Sequence, residues 1–451
     1  MPRLFGTDGV RGVANKELTP QLALKLGEAA ARILGSSSQN HTRRRAIIGR
    51  DTRISGDFLS AALAAGMASG GVDVIDVGVL PTPGIAYLSS ILNVDFAAVV
   101  SASHNPMQYN GIKFFQKGGY KLSDNTEDEI EALLDQEWER PINAFVGRIS
   151  YDAASAQRLY IQHILDSVIQ EEHEPLHGLH IVVDCANGAT SHVAPEVLQR
   201  AGATVTVINA APDGRNINDH AGTMHPETLQ TITKAMKADL GVACDGDADR
   251  CLAVDHNGTI VNGDQIMGIL ARSFKNKGLL KNDTLVVTVM SNLGLKLALR
   301  DMGITTVQTA VGDRYVLEEM LKNDYSLGGE QSGHIINRYC ATTGDGTLTA
   351  LMLACEVAQS GKTLEELASA FPQLPQELIN VRTERKREAF TNTIIQEAVH
   401  AAEEQLGETG RVLLRPSGTE PLVRVMVEAV TDEQAHEVCQ SLASIVEDAL
   451  K

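Results

Sequence analysis

The stretch FAAVVSASHNPMQYNGIKFF, residues 96–115, sends an unbroken apolar run into a serine, a histidine and a strand-breaking Asn-Pro. A short apolar run bounded by turn residues reads as a strand buried on both faces, the kind a parallel or mixed sheet uses. The polar segment after it is either a loop that merely ends the strand or a nucleophile held at the end of a rigid one. Working outward, AIIG (46–49) and VDVIDVG (72–78) are further short apolar runs, separated by helix-length segments in the α/β pattern. Residues 18–34 carry apolar side chains at helical spacing, with Thr19 and Pro20 suited to the start and Gly35 to a stop. Thr126 and Glu129 form a capping box ahead of Ile130, Leu133 and Leu134, in a helix that closes a first domain near residue 150.

The strand-then-loop unit recurs at IVVDCANG (181–188) and LVVTVMSNLG (285–294), which predicts three related α/β units. The tail differs. In RVLLRPSGTEPLVRVMVEA (411–429) two alternating strands flank a Gly-Pro loop, and Thr431 with Gln434 caps a final helix carrying Val438, Leu442 and Val446. This predicts a small α+β domain.

A chain of 451 residues is too long for one core. With 43% hydrophobic and 21% charged residues and 39 glycines, it has the composition of a globular protein rich in tight turns. The net charge of -18 argues against binding nucleic acid or an anionic membrane, while leaving room for a small anion at a local basic patch. No apolar run is long enough to span a bilayer, and MPRLFGTDGVRG lacks the apolar segment of a signal peptide, so a cytoplasmic location is expected. Cys185, Cys244, Cys251, Cys340, Cys355 and Cys439 form no CxxC pair and read as reduced thiols with no zinc site.

In CDGDADR, Asp245, Asp247 and Asp249 alternate along the backbone, so their carboxylates converge if the loop curls. Three carboxylates together repel one another unless a cation neutralises them, and hard oxygen ligands suit Mg²⁺. An EF-hand starting at Asp245 would need Gly and Glu where Arg250 and His256 stand, and an aspartyl phosphatase would need Thr or Val at Asp249. A solvated acidic turn is the plain alternative. HEPLH (173–177) matches the zinc-protease string, but Pro175 and Gly178 forbid the helix that chemistry needs. GGEQSGH (328–334) sets a carboxylate, a hydroxyl and an imidazole between glycines, suited to sugar hydroxyls. RPSGTEP (415–421) offers backbone N–H groups beside Arg415, with Arg424 a short strand away, as a phosphate monoester requires; an ordinary hairpin with two surface arginines is the alternative. GRDTRISG (49–56) adds Arg50 and Arg53, readable equally as surface charge and an ion pair to Asp51.

In their order along the chain, SASHNP, DGDADR, GEQSGH and RPSGTEP resemble the four loops of the α-D-phosphohexomutase superfamily. LFGTDGVRG, TVMSNLG and Gln331 look like its bacterial branch working on glucosamine phosphates. The resemblance implies an α/β fold of four domains around a central cleft: three similar α/β domains with mixed sheets at 1–152, 153–253 and 254–370, and a smaller C-terminal α+β domain at 371–451. It implies an isomerase that interconverts glucosamine 6-phosphate and glucosamine 1-phosphate and so supplies UDP-N-acetylglucosamine for the cell wall. Phosphorylated Ser103 would be the nucleophile and, with Asp245, Asp247 and Asp249, the Mg²⁺ site. Glucosamine or glucose 1,6-bisphosphate would be the activator, and Arg250 would balance charge. Lys113, His104 and His334 are the acid–base candidates. Glu330 and Ser332 would bind sugar hydroxyls; Arg415, Ser417, Gly418, Thr419 and Arg424 would grip phosphate. Arg11 would support the phosphoserine, and Arg314 would touch substrate. The partner expected is a small amino-sugar phosphate, with no nucleic acid or membrane, and a homodimer is open. Glucose or mannose phosphates as substrates, a Mg²⁺-dependent sugar phosphatase and a sugar-phosphate sensor are the competing readings.

Overall fold

The computed structural model describes residues 3–6, 8–37, 43–169, 174–417 and 420–451. It divides into two compact units, Met1–Met290 with Ile304–Ser369, and Ser291–Gly303 with Ala370–Lys451. The first holds three mixed sheets. In one, the strands Val10–Val13, Tyr109–Gln116, Phe96–Val100, Arg45–Arg50, Asp73–Val79 and Ile149–Tyr151 lie side by side in that order, with Tyr120–Lys121 paired to Tyr109–Gln116. The second runs Ile260–Val261, Cys251–Asp255, Leu240–Cys244, His180–Asp184, Thr204–Ile208, and the third Thr305–Thr309, Thr284–Thr288, Leu327–Gly329, Ile335–Asn337.

The three sheets share one plan. In each, three adjacent strands run parallel, and the last of them in sequence returns antiparallel through a loop. The returns are Phe96–Val100 into Tyr109–Gln116, Leu240–Cys244 into Cys251–Asp255, and Leu327–Gly329 into Ile335–Asn337. The repeat expected from the sequence is therefore present, with one correction. The strands His180–Asp184 and Thr284–Thr288 match Arg45–Arg50, not Phe96–Val100, because all of these central strands read alike as short apolar runs.

Helix Pro20–Ile33 is capped by Thr19, whose hydroxyl accepts from Leu22 N, and it continues into a 3₁₀ turn at Leu34–Ser37 instead of stopping at Gly35. It crosses helix Ser55–Ser69 closely: a Cβ on Gly27 would stand 2.3 Å from Leu63 O, and one on Gly66 2.1 Å from Leu24 O. The Thr126 capping box does not form. Helix Asp124–Ala132 starts earlier, at Ser123, whose Oγ accepts from Thr126 N at 3.2 Å, and Asp124 and Glu127 complement the dipole in its first turn.

In the second unit, Gln376–Arg382, Leu422–Glu428 and Arg411–Pro416 form an antiparallel sheet, covered by helices Thr393–Leu406 and Asp432–Ala449, the latter capped by Thr431. Helix Leu293–Asp301 belongs here too: Asn292 exchanges hydrogen bonds with Leu374, and buried Glu428 accepts from Leu293 N and Arg411. All six cysteines are free thiols, and no described helix is long and apolar enough to cross a membrane. His173 of the HEPLH string lies outside the described residues.

Candidate active site

Ser103 follows the strand Phe96–Val100 and takes a left-handed backbone, φ +51°, that a serine adopts only when its surroundings impose it. Those surroundings are specific. Arg53, with a fully buried side chain, donates to the carbonyls of Ser103 (2.8 Å), Asn105 (2.8 Å) and Pro106 (2.6 Å), and its Nε donates to Asp51 at 2.9 Å. Asn218 donates to the Ser103 and Asn105 carbonyls as well. Ser101 Oγ accepts from Ser103 N and donates to Asp51. Arg53 is thus neither surface charge nor only an ion pair, but the clamp that shapes this loop.

So held, Ser103 Oγ donates to Asp245 Oδ2 at 2.6 Å and lies 3.3 Å from His104 Nδ1. Asp245, Asp247 and Asp249 are all buried, with ligand atoms within 4.8 Å of one another. Thr82 Oγ1 (2.7 Å) and Lys113 Nζ (3.2 Å) donate to Asp247 Oδ2, while Asp247 Oδ1 and Asp249 Oδ1 are buried with no hydrogen-bond partner. Two orphaned carboxylate oxygens among three crowded acids are what a hard divalent cation satisfies, so this donor set fits a metal ion. Burial, and then the two neighbouring carboxylates, push the Asp245 acid well above its usual range. Burial also opposes charge on Asp249, but His334, Lys113 and Arg250 outweigh it and hold that group ionised.

Lys113 sits on the strand Tyr109–Gln116 opposite Val99. Burial disfavours its charge, yet Asp247 and Asp8 outweigh burial and raise it, so it is an ammonium. His104 goes the other way: burial, then Arg250 and Arg11, lower it to about 4 and leave it a neutral imidazole. His334 is buried 3.6 Å from Asp249 Oδ2; its Nε2 accepts from Gly344 N at 2.9 Å, with Asp313 Oδ2 3.4 Å away. Burial lowers its basicity, and Asp313 and Asp249 more than restore it.

Glu330 accepts from Gly312 N through Oε1, and Ser332 is exposed at the tip of the same loop. Arg250 is largely buried, and its Nε has no hydrogen-bond partner. Arg11 pairs with Asp8, and Arg314 is engaged by Asp124 (2.6 Å) and Glu318 (2.9 Å). In the second unit, Arg415 and Arg424 stand directly opposite one another on paired strands, and Arg424 Nε is buried without a hydrogen-bond partner. Like charges in that position are destabilising until an anion sits between them. Ser417 is buried beside them, its carbonyl accepting from Lys386 Nζ at 2.6 Å; Gly418 and Thr419 lie outside the described residues.

Comparison with known proteins fits this arrangement. Profiles described as phosphoglucomutase/phosphomannomutase α/β/α domains I, II and III and C-terminal domain match residues 2–140, 158–258, 262–374 and 378–445. A phosphoglucosamine mutase of Bifidobacterium adolescentis is 67% identical over the whole of both chains. The chain belongs to the phosphoglucosamine mutase family. Among solved structures, the phosphoglucomutase/phosphomannomutase family protein of Burkholderia thailandensis superposes with a TM-score of 0.82 at 24% identity, covering 99% of this chain and 97% of that one. The Aspergillus fumigatus N-acetylphosphoglucosamine mutase, solved with GlcNAc-6P and magnesium, gives 0.67 at 18% identity, covering 99% and 96%. These two share the fold of this phosphoglucosamine mutase family member.

Sequence reasoning passed over Asp8, Thr82, Lys121, Asn218, Asp313 and Lys386. Thr82, Lys121, Asn218 and Lys386 are ordinary residues in unremarkable segments, and their contacts are made with segments distant in the chain. Asp8 and Asp313 alone carried a signal, standing within LFGTDGVRG and beside Arg314.

Proposed function

We propose that the protein interconverts glucosamine 6-phosphate and glucosamine 1-phosphate, with Ser103 carrying the phosphoryl group and a 1,6-bisphosphate as the intermediate. The observation that carries this reading is Ser103 Oγ, aimed at 2.6 Å into a buried cluster of three carboxylates, in a chain 67% identical to a phosphoglucosamine mutase. Asp245, Asp247 and Asp249, with the phosphorylated serine, would hold Mg²⁺, which when bound polarises the phosphoryl group as a Lewis acid.

The chain's own residues do the rest. A sugar hydroxyl attacks phosphorus as the bond to Ser103 Oγ breaks; the hydroxyl proton leaves and the serine oxygen takes one up. Neutral His104 is suited to accepting a proton, charged Lys113 to donating one or holding the phosphoryl oxygens, and His334, whose basicity Asp313 and Asp249 raise, to passing one on. The bisphosphate then presents its other phosphate, Ser103 takes it back, and glucosamine 1-phosphate leaves. Glu330 and Ser332 bond sugar hydroxyls. Arg415, Arg424 and Ser417, with Gly418 and Thr419, bind phosphate, the guanidiniums supplying charge-assisted hydrogen bonds.

A ³¹P NMR time course with Mg²⁺, glucosamine 6-phosphate and a trace of 1,6-bisphosphate tests this. An anomeric phosphate signal that grows to a stable mixture without inorganic phosphate is expected; accumulating inorganic phosphate would make the protein a phosphatase. Glucose and mannose 6-phosphates run in parallel establish the sugar.

A further inference from the structure

The acidic loop is joined to itself by a second route, from Lys113 to His334, through three side chains that the chemistry above leaves unused: Asp8, Lys121 and Asp313. Lys113 Nζ lies 3.2 Å from Asp247 Oδ2 and 2.8 Å from Asp8 Oδ2. Asp8 Oδ1 is 2.8 Å from Lys121 Nζ, which is 2.5 Å from Asp313 Oδ2. Asp313 Oδ2 approaches the His334 ring at 3.4 Å, and the far side of that ring faces Asp249 at 3.6 Å. Acid and base alternate around this ring, which starts and finishes on neighbouring carboxylates of one loop. It draws on the first sheet through Lys113 and Lys121 and on the third through Asp313, which opens helix Asp313–Asn323, and His334, which precedes Ile335–Asn337.

We propose that Lys121 is a positioning residue that, by holding Asp8 and Asp313 at once, fixes the spacing between Lys113 and His334, the two basic side chains on either side of the acidic cluster. This rests on the mutase reading of the site. An ammonium has three donors on one atom and can bridge two carboxylates. Without it, Asp8 and Asp313 repel one another, and each draws its own basic partner with it. A second contact ties the hairpin bearing Lys121 to the segment that leaves the third sheet after Ile335–Asn337: Thr342 Oγ1 donates to Gly119 O at 2.6 Å. The hairpin also has no slack, because a Cβ on Gly119 would stand 2.4 Å from Ala86 O. The reaction gives this spacing its value. One set of acid–base groups must serve the sugar in two orientations, and small misplacements of such groups cost large factors in rate.

The test compares steady-state mutase kinetics of the full-length wild type with Lys121→Met and Lys121→Arg, alongside thermal unfolding and the Ser103 phosphoryl content by intact mass. For Lys121→Met, kcat is expected to fall about tenfold to a hundredfold with KM held within about twofold, at near wild-type phosphorylation and melting temperature. Lys121→Arg keeps the charge and should recover part of kcat. Unchanged kcat in Lys121→Met, or a rise confined to KM, would overturn the positioning role. So would equal losses in both variants accompanied by a lowered melting temperature, which would make Lys121 merely structural. If Lys121→Met does not fold, Asp313→Asn removes the same link with little change of shape and is held to the same criteria. Absence of mutase turnover in the wild type would instead overturn the functional reading, and with it this role.

Discussion

Ser103 and Arg53 divide one task in the proposed mechanism: the first is to carry the phosphoryl group, and the second fixes the backbone that aims it. Ser103→Ala removes the oxygen proposed to receive the phosphoryl group while leaving the clamp on the backbone carbonyls intact. Multiple-turnover activity should therefore vanish with the circular dichroism spectrum and melting temperature retained; substantial turnover in this variant would rule out the covalent route. Arg53→Met takes one donor from each of three carbonyls, leaving Ser103 and Asn105 to Asn218 and Pro106 to Tyr109 N, and leaves Asp51 as a buried charge without its guanidinium partner. Breaking a buried pair in this way costs about 3–5 kcal/mol, to be read from urea unfolding midpoints. Asp345 offers a test by pH. It caps helix Gly346–Ser360 through Leu348 N and accepts from Tyr160, and burial raises it from 3.8 to about 6. The native protein then holds this proton between those values while the unfolded chain has lost it, so this group's contribution to stability falls as pH rises through that window. Asp345→Asn removes the effect: its stability relative to wild type should climb by about 2 kcal/mol from pH 4 to pH 6 and level off above about pH 7. A difference that stays flat across that range would refute the assignment.

Elements explain why the fold was so largely legible. Short apolar strands, helix-length spacers and an alternating tail predicted three α/β sheets and an α+β domain because periodicity depends only on neighbours in sequence. The motif loops could be read for a related reason: each packs several reactive residue types into a few positions. What could not be read arises between distant segments. Lys121 meets Asp313 192 residues away, and Asn218 meets Ser103 115 residues away, and nothing local marks Lys121 or Asn218. The misplaced cap at Thr126 has a local cause, because Ser123 offers an equally good hydroxyl one turn earlier. The crossing of helices Pro20–Ile33 and Ser55–Ser69 gives a test at this scale. Gly27→Ala would drive a methyl into Leu63 O, so the helices must separate, at a cost of about 1–3 kcal/mol measured by chemical denaturation.

At the scale of the whole molecule, a net charge of -18 is joined by a buried cluster of three acids, which makes the native state a reporter of any cation that binds there. Mg²⁺ at about a hundred times its dissociation constant should stabilise the fold by about 2.7 kcal/mol, and a chelator should reverse this. In Asp245→Asn one of three mutually repelling groups is gone, so the chelated protein should melt no lower than wild type while the Mg²⁺ response shrinks. A full Mg²⁺ response in that variant would place the ion elsewhere. The shared plan of the three sheets has a further consequence, for engineering. The loop of residues 330–334 is closed at its base by the ladder pair Gly329 with Ile335, and the acidic loop, residues 245–250, by Cys244 with Cys251. The two loops are also interlocked, since Gly333 O accepts from Cys251 N and a Cβ on Gly333 would stand 2.1 Å from Cys251 O, so an attempt to graft one loop from a relative has to carry the other with it.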